Sequence, residues 1–383
     1  MTNKDENISN LSLLVTSLLF VVFTLILAAS FFSKERQAVH SYLQKNIGTI
    51  SSQIFVTMLA AEMPSFSPDI LKKDQPSVIS LGFELATSVN IGDVRSLVGN
   101  ELPGFSIFKD EIIISGKGTN FATLPIESAA PPLEDTLNET EIAKDQIREL
   151  QDRGSSNRIK PSVPQRKNFY IYHTHSWESY LPLLGIEGDP NVDKAVDSKT
   201  NITIVGEMLG KEMENLGLGV TIDKTNMGEE LRKKGWKTPR SYKVSRTLVQ
   251  TAMSDNQDLH YFIDLHRDSL RKKNTTVEIN NKQYAKVVFV VGKNNPNYKE
   301  NLEIAKSLHE ILQDKYPHLS RGVIGKSGKG VDGVYNQDLS KRSILVEIGG
   351  VDNNMDELHN TTKAFADVIN EYYRENEKVS SGD

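Results

Sequence analysis

From Asn168 onward two hydrophobic periods alternate along the chain, and few folds accommodate that alternation. NFYIYH (168–173), GVTIDKT (219–225), HYFIDLH (260–266) and RSILVEIGG (342–350) are short runs rich in β-branched and aromatic residues, the composition of strands buried on both sides. Between and after them, NITIVGEMLGKEMENL (201–216), SRTLVQTAM (245–253), NPNYKENLEIAKSLHEILQDKY (295–316) and MDELHNTTKAFADVINEYYREN (355–376) read as helices. Gly217 and Gly219 end the first helix, and Asn295 or Asn297 is the expected cap of the third. TTVEINNKQYAKVVFVVG (275–292) reads as a hairpin turning near Asn280 and Asn281. Strands alternating with helices imply an α/β fold, with a mostly parallel mixed sheet flanked by helices on both faces. There is no internal repeat and no Gly-rich phosphate loop.

The part of the chain before this pattern has a different composition. No charge interrupts 7–33, and Leu11–Phe32 is long enough to cross a bilayer as one helix, which takes about 20 apolar residues. A cleaved signal peptide has an apolar core of only about 7–15 residues, and no clear small-x-small cleavage site follows this longer run before Lys34. The expected organisation is a short tail at 1–10, a transmembrane helix at 11–32 and a membrane-proximal spacer domain at 33–120. A polar, Pro- and Ser-rich linker follows at 121–166, then the domain carrying the chemistry at 167–378 and a tail at 379–383. Lys4 stands beside Asp5 and Glu6 on one side of the span, with Lys34 and Arg36 on the other, so charge signals orientation weakly. The net charge of −5 does not announce a nucleic-acid partner, although Arg271, Lys272 and Lys273 form a local basic cluster. The chain has no cysteine, so thiolate metal sites and disulfides are excluded.

Three polar clusters stand where predicted strands end: HTHSWES, HRDS and EIGG. In open α/β sheets, sites form outside the carboxyl ends of the strands. His175 and Glu178 have H-x-x-E spacing and share one side of a turn, and His266 arrives from a neighbouring strand end. Two imidazoles and a carboxylate with an open fourth position form a catalytic zinc set. His173, two residues before His175, competes for the same ligand role. Asp268 is the expected partner that orients a ligand imidazole. Glu347 ends the most apolar strand; burial there raises a carboxyl pKa, which suits a general base acting on water. Taken singly, each feature has a structural reading: a hydrogen-bonded histidine, a chance spacing, a carboxylate capping a loop. Together at three strand ends they point to a metal hydrolase.

IYHTHSWESYLP, FIDLHRDS and YNQDLSKRSILVEIGG resemble the stage II sporulation protein P family, membrane-anchored cell-wall hydrolases of endospore-forming bacteria. The order of anchor, spacer, linker and α/β domain resembles that family too. The family is similar to zinc-dependent N-acetylmuramoyl-L-alanine amidases. The resemblance implies Zn2+ as cofactor, peptidoglycan as substrate, cleavage between the muramoyl lactyl group and L-Ala, and a second, endopeptidase cut in the stem peptide. It further implies action on the outer side of the cell membrane during engulfment, with stage II sporulation proteins D and M as partners. His266 corresponds to the second histidine ligand and Glu347 to the catalytic glutamate of the amidases. The helix start DSKTNITIV lacks the glutamate those enzymes place there, and Glu178 is the natural substitute. Arg267 either pairs with a stem-peptide carboxylate or lies on the surface. Trp177 either stacks on sugar or packs on the sheet. GKSGKGVDGVYNQDL (325–339), which includes Asn336, Gln337 and Asp338, is either a lid or an ordered series of turns.

Overall fold

A computed structural model describes residues 110–125, 130–140, 166–328 and 331–381, with side chains to residue 376. The expected transmembrane helix at 11–32, the tail at 1–10, most of the spacer and most of the linker lie outside the described residues. Among the described residues no helix is long and apolar enough to cross a membrane.

Seven strands form one sheet: β1 (Glu111–Ser115), β2 (Lys167–Tyr172), β3 (Gly219–Ile222), β4 (Tyr261–Asp268), β7 (Val287–Gly292), β8 (Ser320–Lys326) and β9 (Ser343–Gly350), in the order β1-β8-β7-β9-β4-β2-β3. β3, β2, β4 and β9 run parallel, as do β7 and β8, whereas β7 meets β9 and β1 meets β8 antiparallel. The expected mixed, mostly parallel sheet is therefore present. All eight residues of β4 and of β9 are buried, which explains their lack of polar alternation.

Helices cover both faces. α1 (Ile202–Asn215), α4 (Tyr298–Lys315) and α5 (Met355–Ser381) enclose the main core with Ile171, Leu265, Phe289 and Val346. Burying each such side chain contributes about 1.5–3 kcal/mol. α3 (Ser241–Asp255) packs on the opposite face against Tyr170, Tyr172 and Phe262, and α2 (Met227–Lys233) lies beside it. The Asn201 side chain caps α1 by accepting from the Thr203 N–H. Gly217 follows that helix at φ 91°, a left-handed conformation that glycine adopts without steric cost. Asn297 stands at the start of α4 without capping it; its amide donates instead to the carbonyls of Gln337 and Asp338. α5 extends into the stretch expected as a terminal tail, as far as Ser381.

Two expectations change. The hairpin is shorter than 275–292: β5 (Thr276–Ile279) and β6 (Lys282–Ala285) pair separately around Asn280 (φ 50°) and Asn281 (φ 59°), and the apolar run after them enters the main sheet as β7. β1 lies inside the stretch read as spacer, yet it forms the edge of the main sheet. Residues read as linker dock as well: Leu124 packs with Val288 and Ile324, and the Pro131 carbonyl accepts from Thr238 Oγ1 at 2.7 Å.

Candidate metal centre

β2 ends at Tyr172, and the chain turns at once, with the Glu178 N–H closing on the His175 carbonyl at 2.9 Å. The H-x-x-E spacing is therefore a turn, not a helical face. It brings His175 Nδ1 to 3.3 Å from Glu178 Oε1. β4 delivers His266, whose Nδ1 lies 3.5 Å from Glu178 Oε2. One donor atom from each of His175, Glu178 and His266 lies within 4.8 Å of the other two. Glu178 and His266 are buried, and His175 is partly open. Two imidazoles and one carboxylate converging in a buried pocket fit a divalent ion of zinc type.

His173 belongs elsewhere. The turn after β2 separates it from His175, and its Nδ1 meets the Asp223 carbonyl at 2.9 Å. Its Nε2 faces Gly206 of α1, where a Cβ would approach to 2.2 Å. Burial lowers its pKa to about 4, so it is a neutral packing group at neutral pH.

The carboxylate against the His266 ring is Asp264, whose Oδ1 lies 3.1 Å from Nε2. That contact lies off the N–H line, so Nε2 makes no linear hydrogen bond among the described residues. Asp268, the residue expected in this role, pairs with Arg321 and accepts the Leu270 N–H at 3.0 Å. The cause is a register shift between His266 and Asp268 that re-aims the strand end. The sequence held a signal for Asp264: Asp-x-His in a strand puts both side chains on one face.

Glu347 stands beside His266 as its register partner across the parallel β4–β9 pair. Its Oε2 is buried and makes no hydrogen bond among the described residues. Burial pushes the carboxyl up to about 8; the His266 charge partly offsets this, while Glu178 and Asp268 add to it. For Glu178, burial alone would raise the carboxyl, but hydrogen bonds and charge from His175 and His266 hold it well below the usual range. Burial alone would lower His266, but Asp264 and Glu178 raise it well above the usual histidine value. The pair thus separates into an acceptor fixed as an anion and a neighbour poised to take or release a proton.

Arg267 is neither exposed nor open to a substrate carboxylate. It is buried, donates to the carbonyls of Asp268 and Ala195 at 3.2 Å each, and its backbone N–H holds Glu178 Oε2 at 2.9 Å. Trp177 packs with Met227, Leu231 and Val244, and stacks on His175 at 5.2 Å between centroids. Gln337 bridges the Gly292 N–H and the Val290 carbonyl, and Asp338 takes both outer nitrogens of Arg246, so the described residues here are ordered turns. Tyr242, at the start of α3, carried no sequence signal; its ring lies 5.5 Å from that of His175 and 6.4 Å from that of His266.

Fold and site together define an α/β domain with a largely buried histidine–glutamate–histidine cluster of metal-ligand type and a buried acid on the adjoining strand. Residues 92–370 match the stage II sporulation protein P family. The chain is 44% identical over 337 residues to stage II sporulation protein P of Bacillus subtilis (strain 168), covering 87% of this chain and 83% of that one. It belongs to the stage II sporulation protein P family. Among solved structures it is similar to the CwlD amidase from Clostridioides difficile in complex with the GerS lipoprotein, at 16% identity and a TM-score of 0.33, covering 54% of this chain and 97% of that one. It is also similar to Cwp6 from Clostridium difficile, at 13% identity and a TM-score of 0.33, covering 56% of this chain and 32% of that one. At that score neither likeness extends to function.

Proposed function

We propose that this chain is a zinc-dependent peptidoglycan hydrolase of sporulation, an N-acetylmuramoyl-L-alanine amidase with stem-peptide endopeptidase activity. The observation that carries the reading is the convergence of donors from His175, Glu178 and His266 within 4.8 Å, beside the buried oxygen of Glu347 that makes no hydrogen bond among the described residues. Family membership supplies the sporulation setting. His175, Glu178 and His266 would hold the ion. When bound, Zn2+ supplies Lewis acidity that polarises a carbonyl and eases the deprotonation of water. Glu347 accepts a proton from the attacking water and returns it to the departing amine of L-Ala, as its raised proton affinity suits. The Arg267 N–H fixes Glu178, so the carboxylate keeps one orientation throughout. In this reading a single N-terminal span anchors the chain in the cell membrane, and the domain works on the septal wall side during engulfment. Stage II sporulation proteins D and M are its proposed partners.

Product analysis on purified sacculi tests the proposal, using the full chain, His266→Ala and Glu347→Gln, with and without stage II sporulation protein D. Amidase action separates muramoyl lactyl groups from L-Ala, and both variants lose it. Products cut only within peptides would overturn the amidase assignment. Sacculi left equally intact by all three proteins would overturn hydrolysis itself.

A further inference from the structure

A chain of buried polar groups runs from the turn before β9 to the His266 ring. Asn336 Nδ2 donates to Ser245 Oγ at 2.9 Å. Ser245 and Thr174 hydroxyls meet at 2.8 Å, and Thr174 Oγ1 lies 2.6 Å from Asp264 Oδ2. The Thr174 N–H also donates to Asp264 Oδ1, at 2.9 Å. All four residues are buried. Donor and acceptor chemistry gives this chain one direction. An ionised carboxylate only accepts, so the Thr174 hydroxyl proton points at Asp264. Thr174 then accepts from Ser245, and Ser245 accepts from Asn336. At the far end, Asp264 Oδ1 lies 3.1 Å from His266 Nε2, off the N–H line, an approach that two facing lone pairs would not hold without a proton on the ring nitrogen. On the other edge of the ring, Nδ1 faces Glu178 Oε2 at 3.5 Å, and that oxygen already takes the Arg267 N–H. A lone pair and a carboxylate oxygen facing each other in a buried site repel unless a proton or a metal ion lies between them.

We infer that Asp264, held by the one-way chain from Asn336 through Ser245 and Thr174, is the positioning residue that keeps the proton on His266 Nε2 and turns Nδ1 to the metal cluster. This rests on the metal reading above and adds which nitrogen binds and what holds the ring. Outer partners of this kind change metal affinity about 10–100-fold.

The test uses the full chain, its Asp264→Asn, Asp264→Ala and Thr174→Val variants, and Zn2+ alone as the probe. Zn2+ affinity is measured by competition with a chromophoric chelator. Nitrogen-15 spectra of labelled histidine, assigned through His266→Gln, report the protonated ring nitrogen with and without Zn2+. Asp264→Ala and Asp264→Asn are expected to weaken Zn2+ about 10–100-fold, and Thr174→Val by a smaller factor in the same direction. Wild-type spectra should show a proton on Nε2 and Zn2+ on Nδ1; in the metal-free protein, taken to alkaline pH so that the ring is neutral, Asp264→Ala should mix the two neutral forms. Zn2+ on Nε2, or a tautomer unchanged by Asp264→Ala, would overturn the inference. If the wild type bound no divalent ion, the metal reading would fail, and the metal-free tautomer comparison would still decide the role of Asp264.

Discussion

Glu347 is a carboxyl with one oxygen unbonded among the described residues, inside a strand whose every residue is buried. Its proton affinity has a consequence for stability that needs no substrate. The folded carboxyl titrates near 8, against an ordinary value of 4.5. Between those values the folded chain holds a proton that the unfolded chain has released, so stability falls as pH rises from about 4.5 to about 8, then levels off. In the metal-free protein this group alone contributes a loss on the order of 5 kcal/mol across that window, opposed by His173 below about 6.5, and Glu347→Gln should remove it. Thermal melting at a series of pH values checks this; parallel profiles for the two proteins would refute it. Glu347→Gln should also cut hydrolysis about 100- to 10,000-fold while Zn2+ stays bound. His173 has the opposite sign. Its folded value is lowered to about 4, so the stability it brings is complete above about 6.5 and is lost as pH falls toward 4. His173→Ala should destabilise the chain by about 2–4 kcal/mol and leave Zn2+ stoichiometry at wild-type level, whereas His175→Ala should abolish tight Zn2+ binding. Metal titration paired with denaturant melts separates the two histidines.

At the scale of elements, α1 approaches the sheet through glycines. A Cβ on Gly206 would lie 2.2 Å from Nε2 of His173, whose ring is already tied at its other nitrogen to Asp223. A Cβ on Gly210 would meet the free end of Ile222, at 2.5 Å, which can rotate aside. Alanine gains up to about 1 kcal/mol of helix propensity at either site. Gly206→Ala should nonetheless be destabilising by about 1–3 kcal/mol, and Gly210→Ala close to neutral. Equal denaturation midpoints for the two variants would refute the role given to His173. The same elements explain what could be read beforehand. β2, β4 and β9 were legible because burial on both faces leaves long apolar runs, and three of the ligand or acid residues stand where those runs stop. β8 was not, because Arg321, Gly322, Gly325 and Lys326 break its apolar pattern. Its arginine and lysine are buried by partners from residues distant in sequence, which no local pattern reports. For Asp264 the Asp-x-His spacing was legible, but its link to Thr174 and Ser245 was not, because those residues come from distant parts of the chain. Asp268 looked better placed only because the shift in register after His266 is invisible in sequence.

At the scale of the molecule, the stretch before the expected linker completes the sheet. β1 pairs along β8, the Gly116 N–H and Thr119 hydroxyl both reach the Arg321 carbonyl, and Leu124 is 2% exposed. The Arg321 guanidinium donates to the Thr123 carbonyl and to Asp268, whose charge bears on Glu347. Further along, the Ser198 N–H reaches the Asn138 carbonyl at 2.8 Å, and the Thr140 N–H reaches Asp197 at 2.7 Å. A chain trimmed to 166–383 would strip β8 of a neighbour, leave Leu124's contacts open and deprive a buried guanidinium of one acceptor. An uncovered strand edge invites pairing with other chains, and a buried donor left without its partner costs about 1–3 kcal/mol. With roughly 2–4 °C of melting temperature per kcal/mol at this size and about 1.5–3 kcal/mol more for Leu124, the 166–383 chain should melt about 5–20 °C below one spanning 93–383 and should self-associate. The 93–383 chain, which keeps the whole compact unit, should melt with the full chain. Calorimetry and sedimentation on the two trimmed chains decide it: matching melting temperatures and monomeric behaviour for both would mean that β1 and the docked segment contribute nothing to the fold of the domain that carries the site.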